Sequence, residues 1–542
     1  MAFSANGLLG ELHFLLDVTF AGQTIRVATQ RLTATLKGVA TEYHPGLVWQ
    51  RSWTQDLSPF TTSAPSTSVS LTIYFPEWFD VGSHIADGHN PGSGTAVLSL
   101  YSVNDKHAEV LIDGKLRDPR WGAAGEPFVA MLEQTPMADT GVIQTRRQRI
   151  LAASWSAHDS TWNKVTYPVI IGGPSGSDSS YVSGSQGYLV DTGAVEKVLI
   201  ANGHTYAGAN GDDVYVGNFS QPGTSEYAAA ANTFDDLGQP VTTVDVSAFV
   251  TPPVAGDVLW IAWRSAAGVQ TFGVLADDQT NPLRGAGDVL IYLARLSRGL
   301  LWDYARLDTV REHLNQYVID GPIQPAIGET ITPYQWIQAH IFERLPVSLE
   351  LGPRGLYVRW WDFTADASDA EVELVEGHGG NCNRISLAGT TALDDVLGAV
   401  VVNYAYNHRT SSARESTLLS GDQVAVDDDE DGMLDPWLRR ARLEYGDRPG
   451  LTIDLEMVDE RSTAVRIASA YAKRGGCQRA QVVYSVEQYP GGLLEPGSVV
   501  LLTDASLGWT KLPGIVQVAE WTEESTREIV IEVPIAGTGS AA

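Results

Sequence analysis

Apolar and polar positions alternate along most of the first 280 residues. LHFLLDVTF and QTIRVAT flank Ala21-Gly22, which predicts a hairpin at the start of the chain. VSLTIYF, from Val69 to Phe75, predicts another strand. AVLSLYSV and AEVLIDGKL, separated by Asn104-Asp105-Lys106, predict a second hairpin. WFDVGSHIADGHNPGSG has no periodicity and reads as a loop. YPVIIGGPSG, from Tyr167 to Gly176, reads as an apolar strand closed by a Gly/Pro turn. KVLIANGHTYAG, DDVYVGNF, VTTVDVSAF and GDVLWIAWRS (Gly256 to Ser265) add further strands. Strands recurring about every ten residues are the signature of sandwiches and barrels.

The period then changes. In GAGDVLIYLARLSRG, from Gly285 to Gly299, apolar residues fall at Val289, Leu290, Leu293 and Leu296, which is helical spacing. WDYARLDTVREHLNQY (Trp302 to Tyr317) predicts a second helix. PYQWIQAHIFERL predicts a third, with Thr332 as cap, Pro333 in its first turn and Pro346 as its stop. SLELG and GLYVRWWDF form a hairpin across Pro353-Arg354-Gly355. Further on, GAVVVNYAYN is a strand, and STAVRIASAYAKRGG is a helix capped by Ser462 and stopped by a Gly pair. QVVYSVEQY, SVVLLTD, GIVQVAEWT and EIVIEVPI complete a small closed barrel.

The expected fold is mainly β with some α (α+β): several small β-barrel or sandwich domains joined by short helices. The units read as an N-terminal β domain (1–135), a second β domain (136–280), a helix-containing α+β domain (281–370), a β segment with an acidic loop (371–460) and a C-terminal helix plus small β-barrel (461–542). The aromatic segments PEWFDVG and RWWDF place Trp78, Phe79, Trp360 and Trp361 either as interface anchors or as core filling.

Composition narrows the function. Over 542 residues, Lys+Arg is 36 against Asp+Glu 65, a formal charge of −29. Such a surface repels phosphate and argues against specific nucleic-acid binding or an anionic membrane surface. No apolar run is long enough to span a bilayer, and the first residues lack a basic leader, so no membrane anchor or signal is expected. Only Cys382 and Cys477 are present, which excludes a disulfide framework and favours two free thiols.

No catalytic constellation stands out. There is no G-x-S-x-G elbow, H-E-x-x-H, P-loop or dinucleotide fingerprint. His313 and His340 sit singly on predicted helices. His84 and His89 lie near Asp80 and Asp87 in a Gly-rich loop, which reads better as solvated than as a metal site. GHGGNC sets His378 four residues before Cys382, better read as a turn with a buried thiol than as a nucleophile. No enzymatic activity and no cofactor are expected. DDDEDGMLD is different: Asp427, Asp429, Asp431 and Asp435 fall at positions 1, 3, 5 and 9, with Gly432 at 6 and Leu434 at 8. That pattern allows a truncated calcium loop of structural role but not a full EF-hand, since Leu438 replaces the closing Glu, and it reads better as a solvated acidic loop than as a metal site.

DVLIYLARLSRG, LNQYVIDGPI, TPYQWIQAHIFERLPVSLEL and GLYVRW resemble the tail-hub proteins of tailed phages. VVNYAYNHRT, DPWLRRARLEYGDR, ERSTAVRIASAYAKR, LEPGSVVLLTDASLGW and VQVAEWTEE are similar to that family's second barrel and its lead-in. YPVIIGGPSG also looks like tail-tip segments. The resemblance covers about half the chain. It implies a homotrimeric hub in the virion, assembled in the host cytoplasm, whose paired barrels form a pseudo-six-fold ring. Its implied partners are the tail tube or distal tail protein, the tape measure, and a central fibre or spike. Two other classes stay open: a tail-associated cell-wall or polysaccharide hydrolase, and a receptor- or carbohydrate-binding adhesin.

Overall fold

The computed structural model describes residues 8, 10–53, 67–121, 126–135, 138–143, 149–171, 185–192, 196–203, 214–218, 220–221, 225–263, 283–323, 330–363, 367–407, 412–428, 432–522 and 525–535. The protein is mainly β with some α. Its strands fall into separate sheets, and two of these close on themselves by the same device: one strand bends and pairs at both ends of the sheet.

The first sheet has nine strands, from Leu12–Phe20 to Phe128–Gln134. Its opening hairpin turns where Ala21 and Gly22 both have positive φ, 52° and 77°, the geometry a two-residue hairpin turn requires. Phe14, Leu16, Val18, Ile25, Val27, Leu98 and Ile112 are buried in one core. Strands Val39–Pro45 and Leu47–Trp53 lie on opposite sides of this sheet, yet only Gly46 separates them. Its N–H reaches Ala28 O at 3.0 Å and its carbonyl accepts from Tyr74 N at 2.7 Å. A Cβ at position 46 would lie 2.1 Å from Tyr74 O, so only glycine fits this corner.

The second sheet closes through Ser225–Ala228 and Ala230–Phe234, two halves of one bent strand. The first half pairs with Val214–Asn218 and the second with Pro240–Asp245. Ser185–Asp191 likewise divides its pairing between Leu259–Trp263 and Lys197–Asn202. Leu189, Val198, Ile200, Val216, Val244 and Ile261 fill the interior. The strand expected over Tyr167–Gly176 spans Val169–Ile171, and residues 172–184 lie outside the described residues. It pairs with Gly321–Ile323, which ties this region to the helical centre.

The centre is one core shared by helices and three small sheets. Helix Ala286–Leu296 buries Val289, Leu290 and Leu293, as its spacing predicts. Thr332 and Gln335 form a reciprocal capping box at the start of Pro333–Ile337. This helix does not run on as a regular α-helix. It widens into a π turn over Gln338–Phe342, and the extra residue in that turn lets Ile337, Ile341 and Phe342 all reach the core. The hairpin Val347–Gly352 and Gly355–Trp360 packs on Tyr304–Leu314. The strands Ala399–Asn407, Ser412–Ser420, Gly432–Leu434 and Gly450–Asp454 form a mixed sheet under helix Arg461–Gly475. That helix is not capped by Ser462: Glu460 stands at the cap without a side-chain bond, and the Ser462 hydroxyl reaches the Glu460 carboxylate at 3.5 Å.

The last sheet has six strands and draws Val372–Val375 and Cys382–Thr390 together with four strands between Arg479 and Pro534. A bridge from Glu376 to Cys382 links its two edge strands. Trp521 of this sheet is buried in the core of the first one, and Gln488 Nε2 donates to Gly10 O at 2.7 Å. The two ends of the chain are therefore docked on each other.

Candidate functional site

The residues that might carry chemistry are dispersed by the fold. Asp427 ends the helix Gln423–Asp427, and its Oδ1 accepts from Gln423 Nε2 at 2.7 Å. Asp429 and Asp431 lie outside the described residues. Asp435 is 7% exposed and caps helix Pro436–Tyr445, where one oxygen accepts from Trp437 N (2.9 Å) and Leu438 N (3.1 Å). Burial pushes its carboxyl up from the ordinary range, against those two bonds. Among the described residues no three His, Cys, Asp or Glu side chains gather as metal ligands. Asp80 spends one oxygen on Gly82 N at 2.9 Å, at the start of a short helix, Val81–Ala86, where a loop was expected. His84 stacks on Phe79, His313 on Trp360 and His340 on Trp336. Cys382 and Cys477 are buried and unbridged. Burial, with Glu376 and Asp504 nearby, pushes the Cys382 thiol up to about 12, which leaves it protonated and inert at neutral pH.

Buried charge instead marks the joints between units. Glu350, 1% exposed, accepts from Tyr357 Oη and Arg359. Arg359 also donates to Glu495 Oε2 at 2.9 Å, across to the last sheet. Burial alone would raise the Glu495 carboxyl, but Arg359 and Arg306 outweigh it and hold it down at about 2. Glu109 of the first sheet faces Glu495, Arg527 and Arg306, and burial pushes its carboxyl up. Burial draws the Arg527 guanidinium down to about 10, and it donates to the carbonyls of Gly491, Leu494 and Ala519. Arg359 thus fastens the central hairpin to the lead-in of the last sheet, with Glu109, Arg306 and Arg527 in the field of Glu495. A second joint sets Arg284 against Asp320 (2.8 Å) and Glu460 (2.7 Å). A third sets Arg474 and Arg479 on Glu532. Asp139 acts as an uncharged-partner staple: its two oxygens accept from Gly141 N, Arg298 N, Ser297 Oγ and Tyr334 N.

None of these joints was picked out from the sequence. The signal was present in part: Glu350 and Arg359 are polar residues inside apolar strands that otherwise read as core. Nothing local pointed to their partner Glu495, 136 positions from Arg359.

Two open surfaces among the described residues bear on function. A cleft of about 440 Å³ runs between the first sheet and the central hairpin, with Asp113, Lys115 and Arg117 on one side and Leu301 and Pro353 on the other. The second is the turn Pro76–Phe79. Phe79 N bonds Pro76 O at 2.8 Å, Phe79 is buried, and Trp78 beside it is 62% exposed. Of the four aromatics left open between anchor and core, Phe79 and Trp361 are buried, Trp360 is half-buried and Trp78 is the exposed one.

No family model matches the sequence, and no curated protein does. Among solved structures, the neighbours include two prophage tail proteins and a chain of a gene transfer agent virion. The 43 kDa tail protein of prophage MuSo2 from Shewanella oneidensis aligns over 96% of this chain and 98% of its own, at 10% identity and a TM-score of 0.33. Prophage tail protein gp18 from Listeria monocytogenes aligns over 59% of this chain and 94% of its own, at 7% identity and 0.25. A chain of the native gene transfer agent virion aligns over 47% of this chain and 80% of its own, at 14% identity and 0.19.

Proposed function

We propose that this chain is a non-catalytic structural subunit of a phage tail, which forms a homotrimeric ring at the distal end of the tail tube. The observation that carries the reading is the set of joints that fasten the parts into one block: Arg359 on Glu350 and Glu495, Trp521 in the core of the first sheet, and Gln134 Nε2 of the first sheet on Gly352 O. A block held by desolvated ion pairs resists the relative domain motion expected of a weak interface. Such stiffness suits a part that transmits load between a tube and a fibre or spike. Heterologous contacts between three copies close a ring when their rotation closes. The family resemblance of the segments from residue 285 onward adds the ring's position and its neighbours: tube or distal tail protein, tape measure, and central fibre or spike. The acidic surface suits a DNA conduit, because like charge prevents sticking.

The test is the mass of the purified chain in solution by light scattering. A subunit of 58.4 kDa is expected to run as a trimer of about 175 kDa. A monomer at every concentration, with no gain on adding purified tail tubes, contradicts the ring.

A further inference from the structure

Among the described residues, arginines recur over aromatic rings in the company of carboxylates. Arg306 sits 4.3 Å and Arg359 5.9 Å from the Tyr357 ring, with Glu350 bonded to both Tyr357 and Arg359. Arg527 sits 5.4 Å from the Trp521 ring, in the field of Glu495 and Glu109. Arg474 and Arg479 flank Phe363 at 5.5 and 5.8 Å, and both are paired with Glu532. The set on Phe363 joins segments far apart in the chain, and the sets on Tyr357 and Trp521 build on a hairpin. This is the molecule's recurrent way of fastening one surface to another.

The turn at Trp78 carries two of the three components. The indole at its corner is mostly exposed. The indole is nevertheless held in place. It stands edge-on to Phe79 at 6.0 Å and to His44 at 6.3 Å, and Phe79 is itself fixed by Phe20, Phe75 and His84. The neighbour of Trp78 in the turn, Glu77, has a carboxylate with no hydrogen bond or ion pair among the described residues, while Asp80 is occupied by its helix cap. An exposed indole next to an open carboxylate lacks only the guanidinium. Folding does not explain the arrangement, since an exposed Trp contributes no core.

We propose that the Trp78 turn is a docking point for an arginine-bearing loop of a partner protein, whose guanidinium lies on the indole and pairs with Glu77. Charge complementarity favours a different chain over a second copy. This chain carries 65 acidic against 36 basic residues, so its complement is a basic surface. The inference rests on the structural-subunit reading and names the chemistry of one neighbour.

The test uses the full chain labelled with 5-fluorotryptophan, with the Trp78 resonance assigned by its loss in Trp78→Phe. The probe is the peptide acetyl-Gly-Arg-Gly-Arg-Gly-amide. Its neutral twin carries citrulline for arginine, and chitotetraose serves as a carbohydrate probe. The arginine peptide is expected to shift the Trp78 signal saturably and less strongly as salt is raised. The citrulline peptide is expected to bind roughly five-fold more weakly, as is the arginine peptide to Glu77→Gln. No shift at Trp78, or an equal shift with citrulline, overturns the proposal. A shift with chitotetraose alone replaces it with a carbohydrate platform. The solution mass of the same sample separates the two readings: a trimer whose Trp78 ignores arginine refutes the docking point and leaves the subunit reading intact.

Discussion

Replacing Glu350 by Gln keeps the shape of the side chain and removes one charge from the central junction. Glu350 is 1% exposed, and it is the partner of Arg359 that belongs to the same hairpin. Without it, Arg359 keeps only Glu495, while Arg306 and Arg527 lie in the same cluster. The variant therefore buries an uncompensated positive charge. Breaking a buried pair in this way costs about 3–5 kcal/mol. A chain with several units does not unfold as one two-state system, so a global midpoint is the wrong observable. Amide hydrogen exchange in strands Val347–Gly352 and Gly355–Trp360 reads the local opening free energy directly. At about 1.4 kcal/mol per tenfold, exchange there is expected to accelerate by roughly two to three orders of magnitude. The double variant Glu350→Leu with Arg359→Met removes charge of both signs and is expected to recover part of the protection. Acceleration below about tenfold in Glu350→Gln would refute the view that the junction holds the hairpin to its neighbours.

Further expectations follow from the same geometry. The Glu495 carboxyl, held at about 2 against an ordinary 4.5, contributes stability that is present above pH 4.5 and lost as pH falls toward 2. Glu495→Gln is expected to flatten acid unfolding over that window, even though Glu109, whose carboxyl is raised, works in the opposite sense as it protonates. Gly46→Ala is expected to cost several kcal/mol or prevent folding, because the new methyl would meet Tyr74 O at 2.1 Å; a thermal scan unchanged from the parent contradicts the closing-corner account. Neither thiol should react with a disulfide reagent at pH 8 in the folded chain, and both should react in urea. Asp435→Ala is expected to lower stability by about 1 kcal/mol in chelator and in calcium alike, as loss of a helix cap does. A loss seen only with calcium present would assign Asp435 to an ion instead.

What the sequence made legible was local. The opening hairpin follows from alternation on either side of Ala21-Gly22, and helix Ala286–Leu296 follows from its apolar spacing. The features that locate function are long-range. Trp361 reads equally as interface anchor or core filling and is fully buried, because the segment that follows its strand packs beside Ile515 and its indole N–H donates to Ser348 at 2.9 Å. Val372–Val375 finds its parallel partner in Val499–Asp504, over a hundred residues away, and alternation carries no information about such pairing. The junction was hidden for the same reason, since each of its charges looks ordinary until Glu350 and Glu495 are brought together on Arg359. Trp78 was legible as a candidate anchor, but only the fold separates it from the buried Phe79 next to it.

The central claim is a place in a particle, and gold labelling tests it most directly. An antibody raised against the full chain should decorate phage tails at their distal end only, and tails lacking the chain should lose that label together with their terminal fibre or spike. Label along the tube or on the head, or intact tail tips in particles without the chain, would contradict the account.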